Sequence, residues 1–191
     1  MKRLVIAAAF FLMSLCFGES LSAQNFAVLG GANIYTTDIT KINSGPKIQW
    51  HFGFAYKFDL PKGFEFQPAL LYNVKGANFN LSDTDLSVGY IELMTSVQWG
   101  IDLILFKPFI EVSPFVGYGL NGMGGMKALW KECGNRLEYG VGLGGGLQIW
   151  RFQLSARHNW NIGGIMKDMA GSEILEGADF NGTTLSIAYF F

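Results

Sequence analysis

Lys47 to Phe58 reads KIQWHFGFAYKF, and its side chains sort by parity. One parity carries Ile48, Trp50, Phe52, Phe54, Tyr56 and Phe58, and the other carries Gln49, His51, Gly53, Ala55 and Lys57. A period of two marks a β-strand whose faces meet different surroundings. Six large apolar groups on one face exceed what a solvated sheet leaves bare, so that face must be covered.

The same alternation recurs along the chain. Phe64, Phe66, Leu70, Tyr72 and Val74 oppose Glu65, Gln67, Ala69, Asn73 and Lys75. Ile91, Leu93, Thr95, Val97 and Trp99 oppose Glu92, Met94, Ser96 and Gln98, and Ile110, Val112, Val116, Tyr118 and Leu120 oppose Glu111, Ser113, Gly117 and Gly119. Leu137, Tyr139, Val141, Leu143, Leu147 and Ile149 oppose Glu138, Gly140, Gly142, Gly144 and Gln148. Phe152, Leu154, Ala156, His158 and Trp160 oppose Gln153, Ser155, Arg157, Asn159 and Asn161. With Phe26 to Tyr35 and the closing TTLSIAYFF of Thr183 to Phe191, the pattern predicts eight strands. Each is about as long as the ~9–11 residues that cross a bilayer at a tilt.

Composition narrows the surroundings. Half the residues are apolar and 15% are aromatic, yet beyond the first segment no uninterrupted apolar run approaches the ~18 residues of a membrane helix. A formal net charge of −1 gives no basis for a nucleic-acid partner or a polybasic membrane patch. Met1 to Ala23 places Lys2 and Arg3 before an apolar run from Leu4 to Phe17 and ends in small and polar residues. It reads as a secretory signal peptide cut before Gln24, leaving 24–191 as one domain. Cys16 leaves with that segment and Cys133 remains alone, so no internal disulfide or zinc cluster is expected.

Connector lengths alternate as well. Asp59 to Gly63, Ile101 to Phe106 and the Trp150-Arg151 corner are short, whereas Thr36 to Pro46, Gly76 to Val88, Asn121 to Arg136 and Ile162 to Gly182 are long. Short turns at one end and long loops at the other define an all-β fold, an eight-stranded antiparallel up-and-down transmembrane β-barrel. The expected setting is the outer membrane of a Gram-negative bacterium, with short periplasmic turns, long extracellular loops and both termini periplasmic. A soluble ligand-binding barrel would reverse the phase, with apolar residues inside.

Two aromatic girdles follow from this strand order. Trp50 and Trp160 fall near the long-loop boundary; Trp99, Trp150 and Phe191 fall near the short-turn boundary. The inward parity collects Lys57, Glu65, Glu92, Glu111, Glu138 and Arg157, with His51, Gln49, Gln67, Gln98, Gln148, Ser113, Ser155 and Asn159. An eight-stranded barrel has an interior that side chains just fill, so these residues are expected to form a polar plug, Arg157 pairing with Glu92 and Glu111.

Motifs with sharper chemistry fit less well. Gly140-Gly142-Gly145 and Gly117-Gly119-Gly122 match the dinucleotide fingerprint G-x-G-x-x-G, but no helical pattern follows either. Lumen-facing glycines that make room for longer side chains are the better reading. Asp83 and Asp85 lack the Gly and Glu of a calcium loop. His51 falls inside and His158 outside, so they cannot share a catalytic site. No catalytic, cofactor-binding or metal-ligating residue is therefore assigned.

Tyr90-Ile91-Glu92-Leu93, Lys107-Pro108-Phe109-Ile110 with Ser113-Pro114 and Gly117-Tyr118, and Phe152-Gln153-Leu154-Ser155-Ala156-Arg157 resemble the PorT-like outer-membrane β-barrel family, small barrels of the OmpA/OmpX type. Met94 stands where that family tends to have Pro, and Ser113 where Gly is usual. The resemblance implies an integral outer-membrane barrel, some of whose relatives are associated with protein secretion. The expected role is non-enzymatic, with surface binding, adhesion or secretion-accessory work carried by the loops. A membrane-interface lipid-modifying enzyme and a narrow pore are the alternatives. Expected partners are outer-membrane lipid and lipopolysaccharide, the outer-membrane assembly machinery reading the terminal aromatic strand, and an extracellular or secretion-system protein.

Overall fold

The computed structural model describes residues 25–37, 44–45, 47–79, 84–124, 136–163 and 180–191. Strand β1 is Phe26–Thr37. The second wall, β2, is Lys47–Tyr56 with the short pieces Ser44–Gly45 and Phe58–Asp59, which pair with the same neighbour. Then follow β3 Phe64–Phe79, β4 Thr84–Gly100, β5 Lys107–Gly124, β6 Leu137–Ile149, β7 Phe152–Gly163 and β8 Phe180–Phe190. Each wall pairs antiparallel with the next, and β8 returns to β1 over Ala27↔Phe190 to Thr37↔Phe180. The sheet is a closed eight-stranded barrel with no free edge, the arrangement that removes unpaired backbone groups.

Parity controls exposure around the barrel. Trp50, Phe52 and Phe54 are exposed while His51, Gly53 and Ala55 are buried, and β5 alternates in the same way from Phe109 to Leu120. The rule breaks at one level. Val74 to Gly76 and Ser87 to Tyr90 are buried consecutively, next to a register shift between Gly89 and Tyr90. The bulge disturbs the β4–β5 pairing, whereas β3 and β4 stay in register through Val74↔Gly89.

The long connectors are shorter than the sequence pattern implies. β3 and β4 stay paired out to Phe79↔Thr84, through most of Gly76 to Val88, and β5 runs to Gly124. Backbone pairing carries on where alternation stops, because outside an apolar belt neither face has to be greasy. The expected signal segment 1–23, Asp83 and Cys133 lie outside the described residues.

At the opposite end the turns are tight. Pro61 opens the first, where Lys62 and Gly63 take φ of 66° and 79°. Trp150, with φ 57°, makes the two-residue corner between Ile149 and Phe152, a conformation uncommon for a residue with a side chain. Both G-x-G-x-x-G matches lie within strands β5 and β6, with no helix to receive a pyrophosphate. A Cβ at Gly142 would lie 2.8 Å from Arg157 Cγ, and one at Gly146 2.7 Å from Phe109 Cζ, so these glycines are the hollows into which longer side chains fold.

Gly31 has this role at the seam. It pairs with Ser186 on one side and His51 on the other, and a Cβ there would meet Leu185 backbone and lie 2.8 Å from His51 Cε1. The missing side chain lets the His51 ring cross to β8. Gly31→Val should therefore weaken closure by at least ~1–3 kcal/mol, the usual range for overpacking, read as a lower urea midpoint for the folded barrel in detergent.

A sealed polar lumen as the candidate functional site

The inward faces of eight strands converge on a narrow interior where Lys57, Lys75, Lys107 and Arg157 meet Glu65, Glu92, Glu111 and Glu138. At the turn end, Glu65 accepts from Lys57 at 3.0 Å and Lys107 at 2.6 Å. Lys57 also donates to Gln148 Oε1 at 2.7 Å and lies over the Phe190 ring, 4.6 Å from its centroid. Midway, Arg157 on β7 reaches Glu111 on β5 at 3.2 Å and donates through Nε to Asn159 at 3.2 Å. Gln98 donates to both Glu111 and Gln67, and Ser96 bonds Ser113 at 2.8 Å.

Towards the loop end, Lys75 on β3 contacts Glu92 on β4 at 2.9 Å and forms a second ion pair with Glu138 on β6. Phe115, Tyr35 and Tyr90 surround its ammonium at 4.5, 5.4 and 5.4 Å from their ring centroids. Charge buried this deeply is tolerable only when paired, and rings around a cation add electrostatic attraction.

All six expected lumen residues, Lys57, Glu65, Glu92, Glu111, Glu138 and Arg157, are buried. Their pairing differs in one respect from expectation. Glu92 is bound by Lys75 and by Asn73 Nδ2 at 3.1 Å, while Arg157 bonds Glu111. Sequence reasoning left Lys75 and Lys107 out of the set. A signal was present, because four carboxylates against two cations is an imbalance that a closed apolar-walled interior does not hold.

A hydrogen-bonded chain that parity did not reveal joins four walls. Ser186 Oγ lies 2.9 Å from His51 Nε2, and His51 Nδ1 lies 2.9 Å from Asn33 Oδ1. Asn33 Nδ2 donates to Asn73 Oδ1 at 2.6 Å, which leaves its oxygen to accept from His51 Nδ1–H. His51 Nε2 is then the acceptor of the Ser186 hydroxyl, an arrangement of hydroxyl, base and orienting amide. The adjoining void, lined by Ser186, Gln153, Ser155 and Arg157 among others, measures about 20 Å³. That is room for about one water, against the ~300–1,000 Å³ of ligand pockets.

Larger concavities open beyond the turn end, of about 480 Å³ beside Glu65, Lys107 and the 101–106 turn, and of about 280 Å³ beside Lys57 and Arg151. Among the described residues no group of three or more His, Cys, Asp or Glu could hold a metal ion.

On the outer surface, Trp50 packs with Phe52 and Tyr72 at 5.8 and 5.5 Å near the loop end, and Trp160 meets the His158 ring edge-on at 4.7 Å. His158 Nδ1 contacts Thr183 Oγ1 at 3.2 Å. At the turn end Phe191 packs with Phe26 and Tyr189 at 5.9 and 5.4 Å, and Trp99 and Trp150 are exposed nearby.

The geometry is a closed eight-stranded antiparallel barrel with an apolar outside and a polar inside. The solved structure of Neisserial surface protein A is similar, with a TM-score of 0.52 at 13% identity over 91% of this chain and 100% of that one. Ail, the attachment invasion locus protein of Yersinia pestis, matches with 0.46 at 11% identity over 87% and 97%. The N-terminal β-barrel domain of Pseudomonas aeruginosa OprF matches with 0.37 at 12% over 88% and 98%. No protein-family model and no curated protein sequence matches the chain.

Lys75 provides the test of the lumen's energetics. Lys75→Met leaves Glu92 and Glu138 buried without their cation and should destabilise the barrel by ~3–5 kcal/mol. Adding Glu92→Gln and Glu138→Gln should recover most of that loss in urea titrations.

Proposed function

We propose that the protein is a non-enzymatic integral barrel of a Gram-negative outer membrane, of the PorT-like group, whose lumen is a structural plug and whose work is done at the surface by the long connectors. The observation that carries this reading is the inside-out distribution of polarity. Trp50, Phe52, Leu93, Ile110, Leu154 and Ile187 face outward and exposed, while the charged residues are paired inside. Water would penalise such an exterior heavily; hydrocarbon does not. The proposed surface role is binding, adhesion or secretion-accessory work, with lipopolysaccharide and an extracellular or secretion-system protein as partners; of these, the resemblance of the quoted stretches to a family with secretion-associated members supports the secretion-accessory role.

Carbonate extraction and planar-bilayer recording test the two halves of this proposal. The mature protein should stay with the membrane until detergent is added, and should carry no large steady current. Release by carbonate would refute the membrane reading, and an open pore would refute the plug. Removal of Phe191 should slow insertion by the assembly machinery while leaving the lumen pairs intact, which pulse-labelling of insertion would read.

One observation favours an enzyme instead, the Ser186, His51 and Asn33 chain. The void beside it is far too small for an acyl substrate, so we assign the chain to wall-to-wall bracing. A fluorophosphonate probe should leave Ser186 unlabelled; labelling lost in Ser186→Ala would establish a hydrolase.

A further inference from the structure

The turn between β4 and β5 has the wrong chemistry for a solvated turn. Ile101 to Phe106 reads IDLILF, where turns ordinarily use Gly, Pro, Asn, Asp or Ser. It is nonetheless well formed: Ile101 N donates to Pro108 O at 3.2 Å, and Leu103 and Phe106 exchange backbone bonds at 3.0 and 2.9 Å. The hairpin thus continues past Trp99 to a two-residue tip, Ile104 and Leu105, at 106% and 80% relative exposure. Next to it, across the Lys107↔Gln148 pairing, Trp150 is 94% exposed in its own corner.

We infer that this hairpin tip, with Trp150, is an anchor seated among the headgroups of the periplasmic leaflet, on the membrane reading proposed above. Phase is the first argument. Ile101, Leu103 and Phe106 keep the outward parity of Trp99 and Ile110, while Asp102 and Lys107 keep the inward parity and lie 3.7 Å apart. The apolar surface of the hairpin is therefore an uninterrupted extension of the barrel's belt.

Length is the second argument. The outward run on β4 starts at Ile91, flanked in register by Tyr72 and Tyr118. With a rise of about 3.3 Å per residue and a tilt of about 40°, the run from Ile91 to Trp99 spans only ~20 Å along the membrane normal, short of the ~25 Å apolar band of such barrels. Continuing to Ile101 gives ~25 Å. The tip then lies ~5–8 Å further out, within a headgroup layer of about that thickness. Trp150, an amphipathic ring, suits the same layer. The hydrocarbon boundary on this side of the barrel then falls near Ile101, with Trp99 just inside it among acyl chains and the hairpin tip beyond it among headgroups.

Nitroxide labels on the mature chain, in a Cys133→Ser background and folded into phosphatidylcholine vesicles, test this. Labels at Ile104→Cys and, independently, Leu105→Cys should collide with oxygen more than with a water-soluble nickel chelate, at a depth within ~5 Å of the phosphate plane. Val97→Cys should read deep and Lys62→Cys aqueous. Only the folded gel band is measured, so misfolded protein does not contribute. Tip labels as nickel-accessible as Lys62→Cys would overturn the anchor with the membrane reading intact. Tip labels shielded from both reagents would overturn it in favour of a protein neighbour. A nickel-accessible Val97→Cys would overturn the membrane reading and the anchor with it.

Discussion

Closure of the β1–β8 seam is the constraint on which everything else depends. A backbone surrounded by apolar matter must satisfy every N–H and C=O internally, and a sheet does so only by meeting itself. Closure also turns one face of all eight strands towards a common axis. At this strand number the enclosed space is too small for bulk water, so whatever charge those faces carry must find partners within the protein. The pairing of Lys57, Lys75, Lys107 and Arg157 with Glu65, Glu92, Glu111 and Glu138 is a consequence of that geometry.

Such pairs contribute less to net stability than their Coulomb energy suggests, because both ions lose their hydration. Their larger effect is on register. Lys75 joins β3 to β4 and β6, and Arg157 joins β7 to β5, so a one-residue slip of any of these walls would send a charge into the apolar surroundings. The Ser186, His51, Asn33 and Asn73 chain braces β8, β2, β1 and β3 in the same way, and Gly31 creates the gap that His51 crosses.

The outside obeys a simpler rule. On the proposed membrane reading, apolar residues need only face hydrocarbon, without specific partners, and aromatic rings gather at the two boundaries where one end of the ring is wet. The 101–106 hairpin shows that the belt need not end at one height around the barrel. Its phase continues although its neighbours have already turned.

Strand number and facing were legible in the chain, because parity is a local property that a strand displays along its own length, whereas the extent of the loop-end pairing, β3 with β4 out to Phe79↔Thr84, was not. The six charged residues read as inward, from Lys57 to Arg157, are buried. Which cation meets which carboxylate was not legible. Glu92 turned to Lys75, Lys107 joined Glu65, and a serine on the last strand met a histidine on the second. Those choices depend on the stagger between strands and on hollows left by glycines far apart in sequence. Parity says which way a side chain points; only the closed sheet sets its height in the barrel, and charges pair with whatever lies at the same height.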